Sequence, residues 1–465
     1  MRFVRTASIL AVVGLLWATH GVAHAQDSTT GAVRGIVRDK ATSETVIGAT
    51  VVASGPALQG TQATITDETG QYFISNLPPG IYQIAIYYAD AQFSRTNVLI
   101  QLGKTAVVNI EINTQAAAGE TIVIEGRAPL LDQQSTKTGT TITSDYTENV
   151  PTGRTFGEVL GAAGGSQGDR YGTSFGGSTS VENTYIVEGI NTTDPGFGLL
   201  STNLPNEFIQ ETEVITGGYN AEYGRSTGGV INVITKSGSN EFHGSVFGYW
   251  SPGALIADEK PTPFAGSAID AEANLANSFD LGAELGGPIV KDRLWFHVGI
   301  NPSYRFVDLD RVVKTQVDAN GDGIPDVDEN GFTILDELSR TSLDESSSTY
   351  FYTGKLTGAV TPDHQGSIAV MGSPGVMRDY FTVTGQESAT FMKDERNILD
   401  VAGKWTSKFF DNKTQVDVVA GYHGDTVDQT PGFAGDGSRS LVLYQGARPL
   451  TDFARYEQNY GGVPE

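Results

Sequence analysis

Residues 211–244, ETEVITGGYNAEYGRSTGGVINVITKSGSNEFHG, contain the pattern that decides the fold. Apolar side chains alternate as in a strand from Val230 to Ile234, and glycines stand at 217, 218, 224, 228, 229, 238 and 244. Glycine permits positive-φ turns and close approach of backbones, which a small sheet domain needs where it fits inside a larger one. The stretch predicts that a compact sheet domain ends here and that strands belonging to a second, larger sheet domain begin.

Downstream of residue 240, apolar and polar residues alternate over long segments. Between 279 and 286, Phe279, Leu281, Ala283 and Leu285 share one face, and Asp280, Gly282, Glu284 and Gly286 share the other. Such alternation is typical of a transmembrane β-strand with an apolar outer face. About seven strands of this kind are predicted, near 242–250, 279–287, 293–305, 349–360, 366–372, 397–406 and 414–423. Their short and long connections alternate, as periplasmic turns and extracellular loops do.

The stretch at 211–244 closely resembles the plug-to-barrel passage of TonB-dependent outer-membrane receptors, in particular their Oar-like subgroup. Residues 183–191, NTYIVEGIN, are similar to the family's Asn-x-Tyr-x-Ile-Asp-Gly-Val-Asn pattern, with Glu188 in place of Asp. The resemblance implies a mainly β fold, with a mixed α/β plug domain at 132–238 and a partial antiparallel transmembrane β-barrel at 239–465.

Upstream, short alternating runs over residues 26–114 are separated by turns at Asp67–Gly70 and Leu77–Gly80. Strands at this spacing predict an antiparallel β-sandwich. The segment resembles the carboxypeptidase regulatory-like, transthyretin-like domain. The metal-binding domain of a catalytic carboxypeptidase does not accompany it, because the windows around the four histidines after residue 25 contain no His-x-x-Glu or His-x-His. With no nucleophile, base or open metal site, we expect no enzyme.

The N-terminus has the features of a secretory signal peptide over residues 1–25. Arg2 and Arg5 precede an apolar run, and Ala23-His24-Ala25 ends it. Its removal takes away two Arg and no acid, so the net charge changes from −24 to −26. So acidic a chain repels phosphate and is not expected to bind nucleic acid. The chain has no cysteine, and its remainder has no long apolar run, so any membrane crossing uses strands.

A small-residue linker at 115–131 contains the segment Glu120-Thr121-Ile122-Val123-Ile124, which resembles a TonB box. A short β-prone segment on a flexible tether can add as a strand to the sheet edge of a partner. The resemblance implies that this partner is a TonB-type energy-coupling protein. An ordinary first strand of the plug remains the alternative.

Two plug loops, 164–177 and 192–203, combine glycine with isolated aromatic residues. In the family such loops face the outside and meet the ligand, which makes Arg170, Tyr171, Phe175 and Phe197 candidate contacts. Plain surface loops are the alternative. Siderophore, peptide, oligosaccharide and protein ligands all remain open.

Residues 318–329 fit the spacing of a calcium loop. Side-chain oxygens come from Asp318, Asn320, Asp322, Asp326 and Glu329, Ile324 offers a carbonyl, and Gly323 permits the turn. Pro325 argues against a true EF-hand, and the segment is more similar to the helix-free loops of thrombospondin type 3 repeats. A solvated acidic loop is the alternative.

Seven strands are fewer than the eight of the smallest single-chain barrels and the roughly 22 that enclose a plug. The end of the chain also lacks the terminal amphipathic strand that related barrels present to the barrel-insertion machinery. We therefore expect an N-terminal fragment of a longer receptor in the outer-membrane lipid. The resemblance implies TonB-dependent import of an extracellular ligand, and the alternative is a surface-binding or secretion-associated protein that imports nothing.

Overall fold

The computed structural model describes residues 29–89, 91–114, 121–124, 136–219, 223–224, 226–257, 269–380, 391–410 and 414–431. The predicted signal peptide and Glu120 lie outside these residues. Within them, no helix combines the length and the apolar composition that crossing a bilayer requires.

The N-terminal strands form two facing sheets with the orders β4-β1-β7 (β8 also pairs with β1) and β3-β2-β5-β6-β9. The strands are β1 Gly31–Asp39, β2 Thr50–Ser54, β3 Gln62–Ile65, β4 Gln71–Leu77, β5 Gly80–Tyr88, β6 Ala91–Ile100, β7 Thr105–Val107, β8 Ile110–Ile112 and β9 Thr121–Ile124. Gly70 adopts φ +69°, and a Cβ there would lie 2.9 Å from the Val37 carbonyl oxygen. The turn before β4 therefore requires glycine.

The plug contains a five-stranded sheet with the order β10-β15-β16-β13-β14 and a separate hairpin, β11-β12. Its elements are β10 Thr138–Thr143, α1 Ser144–Asn149, α2 Phe156–Val159, β11 Ser166–Asp169, β12 Gly172–Phe175, β13 Thr184–Val187, β14 Ile190–Asn191, β15 Ile209–Gly217 and β16 Val230–Thr235. Single 3₁₀ turns occur at Leu160–Ala162, Ser180–Glu182 and Asn206–Phe208. Thr143 accepts a hydrogen bond from the Tyr146 N–H and caps α1.

The remaining strands form one antiparallel sheet in chain order. They are β17 His243–Pro252, β18 Ile269–Val290, β19 Leu294–Gln316, β20 Leu335–Thr361, β21 His364–Gly372, β22 Gly375–Tyr380, β23 Phe391–Phe409 and β24 Thr414–Pro431. Both β21 and β22 pair with β20 and with β23, so they occupy one strand position. A short 3₁₀ turn, Gly253–Leu255, follows β17. Together with the sandwich and the plug, this sheet confirms the predicted fold class.

The two faces of this sheet differ as a barrel wall requires. Leu281 is 62% exposed and Ile300 is 57% exposed on one face, whereas Trp295 and His297 on the other face are fully buried. The exposed face is apolar and the buried face meets the plug. This is the alternation of a strand with lipid on its outer side.

The strands are longer than the sequence pattern predicted, with 22 residues in β18, 23 in β19 and 27 in β20. Much of the connections expected at 251–276, 307–347 and 375–396 is therefore strand. At about 3.4 Å per residue, β19 measures roughly 75 Å, about three times the apolar band of such barrels. Pairing continues between polar residues, for example Asp308 opposite Asp344, where apolar alternation has ended.

Candidate functional site

The plug core includes residues of the barrel wall. One cluster of buried apolar side chains contains thirteen plug residues together with Ala369, Met371 and Ala402 from β21 and β23. The wall therefore completes the plug core.

Arg154 lies between the plug and strands β17 and β18. Its guanidinium contacts Glu207 Oε1 at 2.7 Å and Asp280 Oδ1 at 3.0 Å. The guanidinium carbon lies 3.4 Å from the ring centroid of Tyr249. Two carboxylates and an aromatic face thus fix one cation at the plug–barrel boundary.

Glu188 and Lys355 form a buried ion pair between the plug and β20. Their Oε1 and Nζ atoms are 2.8 Å apart, and each side chain is 7% exposed. The same Oε1 accepts hydrogen bonds from the Thr235 N–H at 2.8 Å and the Thr235 hydroxyl at 2.6 Å. Glu188 has φ +51°, a conformation uncommon for residues with a side chain. The acid of the NTYIVEGIN motif therefore anchors the plug to the wall.

Two further groups of polar contacts hold the plug. Lys236 Nζ lies 2.7 Å from Glu284 Oε1 on β18. On β23, Asp400 accepts a hydrogen bond from the Thr202 hydroxyl at 2.5 Å and contacts His423 Nδ1 at 2.6 Å. Charged residues of β18, β20 and β23 thus face inward and meet plug partners.

The sandwich contacts the short turns of the barrel. Gln62 Nε2 donates to the Pro362 carbonyl at 2.8 Å, and the Ser75 hydroxyl donates to Gln415 Oε1 at 2.6 Å. Lys408 Nζ donates to the Ser75 carbonyl at 3.0 Å. Because short turns lie on the periplasmic side of such barrels, these contacts put the sandwich at the periplasmic end.

The sandwich contacts the plug through the turn between β6 and β7. The Leu102 N–H donates to Glu211 Oε1 at 2.6 Å, and Lys104 Nζ donates to the Thr141 hydroxyl at 2.8 Å. Burial raises the pKa of Glu211 to about 8, and the neighbouring Glu213 adds to the rise. Burial therefore favours the protonated carboxyl near neutral pH, whereas the Leu102 N–H bond and the Lys104 charge favour the ionised form.

Four of the five predicted TonB-box residues, Thr121, Ile122, Val123 and Ile124, form β9. The strand pairs in parallel with β6, with Gln92 opposite Thr121 and Arg95 opposite Ile124. The segment is thus part of the sandwich sheet, whereas β10 is the first strand of the plug sheet.

The predicted ligand contacts are found in different environments. Arg170 and Tyr171 are exposed at the tip of the β11-β12 hairpin, where Asp169 Oδ1 accepts hydrogen bonds from the Tyr171 and Gly172 N–H groups. Phe197 is 76% exposed in the 192–203 loop. Phe175 is 2% exposed in the plug core. Its assignment as a ligand contact was wrong, because its ring fills the space beside Gly229.

The predicted calcium donors are exposed or half-buried and do not converge. Asp318 Oδ2 accepts a hydrogen bond from the Gly323 N–H at 2.9 Å, Asp322 Oδ1 accepts one from Ile324 at 2.8 Å, and Asp326 Oδ2 accepts one from Ala319 at 2.8 Å. Across the part of the chain that the structure describes, no three His, Cys, Asp or Glu side chains are grouped as a metal ion requires. In this conformation the predicted donors do not fit a calcium ion. The oxygens of Asn320 and Glu329, the remaining predicted side-chain donors, do not complete a site.

The wall residues Lys355 and Asp400 were missed by the sequence interpretation. Their signal was present, since each is a charged residue at a position that the strand alternation assigns to the inner face. Their plug partners are more than 150 residues away in sequence, so the pairing itself could not be predicted.

Family models match two parts of the chain, a carboxypeptidase regulatory-like domain at residues 32–113 and an outer membrane beta barrel domain at residues 234–354. Over 501 residues the chain is 36% identical to the TonB-dependent transporter Oar of Myxococcus xanthus, covering 99% of this chain and 46% of that protein. The chain belongs to the TonB-dependent outer-membrane receptors. It spans 46% of the length of this curated relative. A TonB-dependent receptor of this kind is located in the Gram-negative outer membrane.

Shorter and more distant similarities accompany that match. A segment of 49 residues, 10% of this chain and 7% of the relative, is 47% identical to the ferrienterobactin receptor of Escherichia coli (strain K12). The solved outer membrane transporter YddB of Escherichia coli is 12% identical, with a TM-score of 0.44, and covers 63% of this chain and 40% of its own. The ferripyoverdine receptor of Pseudomonas aeruginosa is 13% identical, with a TM-score of 0.35, over 66% of this chain and 45% of its own.

Proposed function

We propose that this receptor imports an extracellular ligand with energy supplied by a TonB-type protein and that it has no catalytic role. The observation that carries the proposal is the arrangement of the plug. Buried ion pairs such as Glu188–Lys355 hold it against the wall, and the segment 121–124 precedes it on the periplasmic side. Because the segment is continuous in sequence with the plug, a partner that binds the segment can transmit force to the plug along the polypeptide chain.

In this proposal the ligand binds outside, at Arg170, Tyr171 and Phe197. A planar cation and two exposed aromatic rings can hold a ligand by stacking and hydrogen bonding. The TonB-type protein then acts on the segment, and the plug is remodelled. Insertion of the complete receptor into outer-membrane lipid requires the barrel-insertion machinery.

The variant Ile122→Pro tests the use of the segment. Proline removes a backbone donor and resists the interior of a strand, so energised uptake should be abolished while membrane insertion continues. Ile122→Val is the matched control, because it keeps the backbone donor and the β-propensity. Uptake by cells that express the complete receptor is the measurement. Normal uptake with Ile122→Pro would remove the segment from the mechanism.

A surface-binding or secretion-associated role is the second candidate. The observation that favours it is the length of β18, β19 and β20, which extend well beyond an apolar band of about 25 Å. A strand surface outside the membrane can bind a partner without import. Ligand binding and all downstream effects would then be unchanged in cells that lack the energy-coupling protein.

We also propose that calcium orders the loop at 318–329. The donors would have to exchange their own backbone N–H partners for the ion, so affinity should be modest, on the order of 10⁻⁴ to 10⁻³ M. Calorimetric titration of the full chain is the test, with Asp318→Ala and Asp322→Ala as controls. Absence of calcium heat up to millimolar concentration, or calcium binding in both variants that is unchanged from the unmodified chain, identifies a solvated acidic loop.

A further inference from the structure

The sandwich holds β9 at the edge of its larger sheet. The order β3-β2-β5-β6-β9 gives β9 one described neighbour, β6, to which it is registered over four residues. An edge strand presents a row of unpaired N–H and C=O groups that can template another strand. The second edge of β9 is therefore a site for strand addition.

The sequence of β9 carries none of the devices that usually protect an edge. Thr121-Ile122-Val123-Ile124 contains no proline and no charge, and β-branched residues occupy all four positions. Proteins that must avoid pairing place lysine, proline or a bulge at such edges. The composition favours capture by another strand.

The opposite edge of the same sheet is engaged by the barrel. Gln62 in β3 is 3% exposed, and its amide donates to the Pro362 carbonyl. Lys408 Nζ also donates to Gln62 Oε1 at 3.2 Å. The barrel thus fixes the sheet at β3, and β9 ends it on the other side.

Resting on the proposed function, we infer that the sandwich presents the TonB-box segment as a preformed edge strand. The energy-coupling protein would add its own strand to β9 while β9 stays paired with β6. The resulting sheet would be continuous from β3 to the partner. The sandwich then has a role in the coupling step, namely to order the segment before the partner arrives.

The physical reason is preorganisation. A free segment loses backbone entropy when a partner captures it, whereas a segment already paired with β6 has lost that entropy beforehand. The tether supports this state, because only eight residues separate Ile112 from Thr121. Their full extension is about 30 Å, which keeps the local concentration of β9 near β6 high.

A disulfide that locks β9 onto β6 tests whether the partner binds β9 while it is paired with β6 or only after it has left β6. The chain has no cysteine, so Gln92→Cys with Thr121→Cys introduces a single possible bridge between register partners. Gln92→Cys with Ile124→Cys is the off-register control, since a shift of three residues is about 10 Å and exceeds disulfide reach. Thr50→Cys with Ile65→Cys bridges β2 and β3 and controls for oxidation of the sandwich.

The probe is the purified periplasmic domain of a TonB-type protein, titrated against the full chain in detergent. We expect the in-register pair to form its bridge, and the oxidised chain to bind the domain as tightly as the reduced chain or up to about tenfold more tightly. Loss of binding on oxidation, with recovery on reduction and no change in the β2–β3 control, would overturn the inference. It would show that β9 must leave β6 before the partner binds.

Two other outcomes also decide the matter. If the in-register pair does not bridge, or bridges no faster than the off-register pair, β9 is not docked and the inference fails while the proposed function stands. If the unmodified and reduced chains both fail to bind the domain, the box assignment in the proposed function fails, and the inference falls with it.

Discussion

The sandwich and the plug are both small sheet domains, but their cores are built differently. All twenty residues of the sandwich cluster lie between Val33 and Ile112. The plug cluster has sixteen members, and three of them belong to barrel strands. The sandwich buries its apolar side chains within itself, whereas the plug needs the wall to finish its core. The sandwich should therefore fold independently, whereas folding of the plug should depend on the barrel wall.

The polar contacts show the same difference. Charged plug groups pair with wall charges at Glu188–Lys355, Arg154–Asp280 and Lys236–Glu284. On the sandwich side the contacts are made mainly by amide, hydroxyl and backbone groups, such as those of Gln62 and Ser75, and the charged partner Lys408 of the wall meets no opposite charge among the described sandwich residues. Removing one member of a buried ion pair leaves an uncompensated charge, and losing a neutral hydrogen bond has a smaller effect.

The largest expected effect is on the folding of the isolated domains, where one fragment should fold and the other should not. A fragment comprising residues 29–114 should fold alone as a β-sandwich with a cooperative thermal transition, because the apolar cluster described for the sandwich lies within it. A fragment comprising residues 136–236 should lack such a transition, because Ala369, Met371 and Ala402 are missing from its core. Circular dichroism melts of the two fragments provide the comparison. Equally cooperative melting of both fragments would show that the plug does not need the barrel wall to complete its core.

Breaking the buried ion pair should loosen the plug alone. In Glu188→Gln the Lys355 ammonium loses its counter-charge, which should destabilise plug docking by about 3–5 kcal/mol. Hydrogen exchange of the full chain should show faster exchange in β13 and β16 and unchanged exchange in β1 and β5. Glu337→Gln is the matched control, since its partner Arg340 is 57% exposed and the pair contributes at most about 1 kcal/mol.

The double variant Glu188→Gln with Lys355→Met sharpens this prediction. Removing the ammonium as well should restore much of the lost protection, because no buried charge is then left without a partner. Equal loss in the single and double variants would show that the pair acts through contacts other than its charges.

Cavities in the two cores should have separate effects. Ile84→Ala removes a fully buried side chain from the sandwich and should lower its stability by about 2–5 kcal/mol without changing the plug. Met371→Ala, a wall residue that is equally buried, should loosen the plug without changing the sandwich. Exchange rates of the two domains in each variant report the effect. Loss of protection in the sandwich caused by Met371→Ala would contradict the comparison.

The smallest effect concerns pH and the contact between the two domains. The pKa of Glu211 is raised from 4.5 to about 8 by burial, so the buried position of this carboxyl favours its protonated form. The contact should be strongest below pH about 4.5 and weaken as pH rises towards 8, by much less than the limit of about 1.4 kcal/mol per unit, because the Leu102 N–H and Lys104 of the sandwich both lower the pKa of Glu211. Above that range it should change no further.

Glu211→Gln is the control for this pH dependence. The amide keeps an oxygen acceptor for the Leu102 N–H and cannot ionise, so the weakening with pH should disappear. Cross-linking yield between the sandwich and the plug across the pH range is the measurement. A slope that persists in Glu211→Gln would show that Glu211 is not the group that titrates.

The fold class followed from local patterns, and the site followed only in part. Alternation of period two predicted β18 and β23 because one face of each strand meets lipid and the other meets the plug. Beyond the apolar band, charged residues such as Asp308 and Asp344 interrupt the apolar alternation, so the outer halves of β19 and β20 were assigned to loops. Phe175 was taken for a surface residue because a glycine-rich segment hides a two-stranded hairpin whose last residue turns into the core.

The pairing of β9 with β6 was equally out of reach from sequence. Thr121–Ile124 showed β-propensity, but its neighbour is fixed by the fold of the sandwich and by a tether of eight residues. The partners of Glu188 and Asp400 likewise depend on how the plug sits against the wall. Local chemistry could nominate such residues, and only the three-dimensional arrangement could pair them.

The position of β10 at the edge of the plug sheet has a mechanical consequence. Among the described strands of that sheet β10 pairs only with β15, and it is the first described plug strand after β9 along the chain. A pull on β9 reaches β10 before it reaches any central strand. Six residue pairs hold β10 to β15, and their loss leaves the pairing of β15, β16 and β13 intact. Under load the plug should therefore lengthen in steps, starting with a short one, and keep most of its sheet after the first.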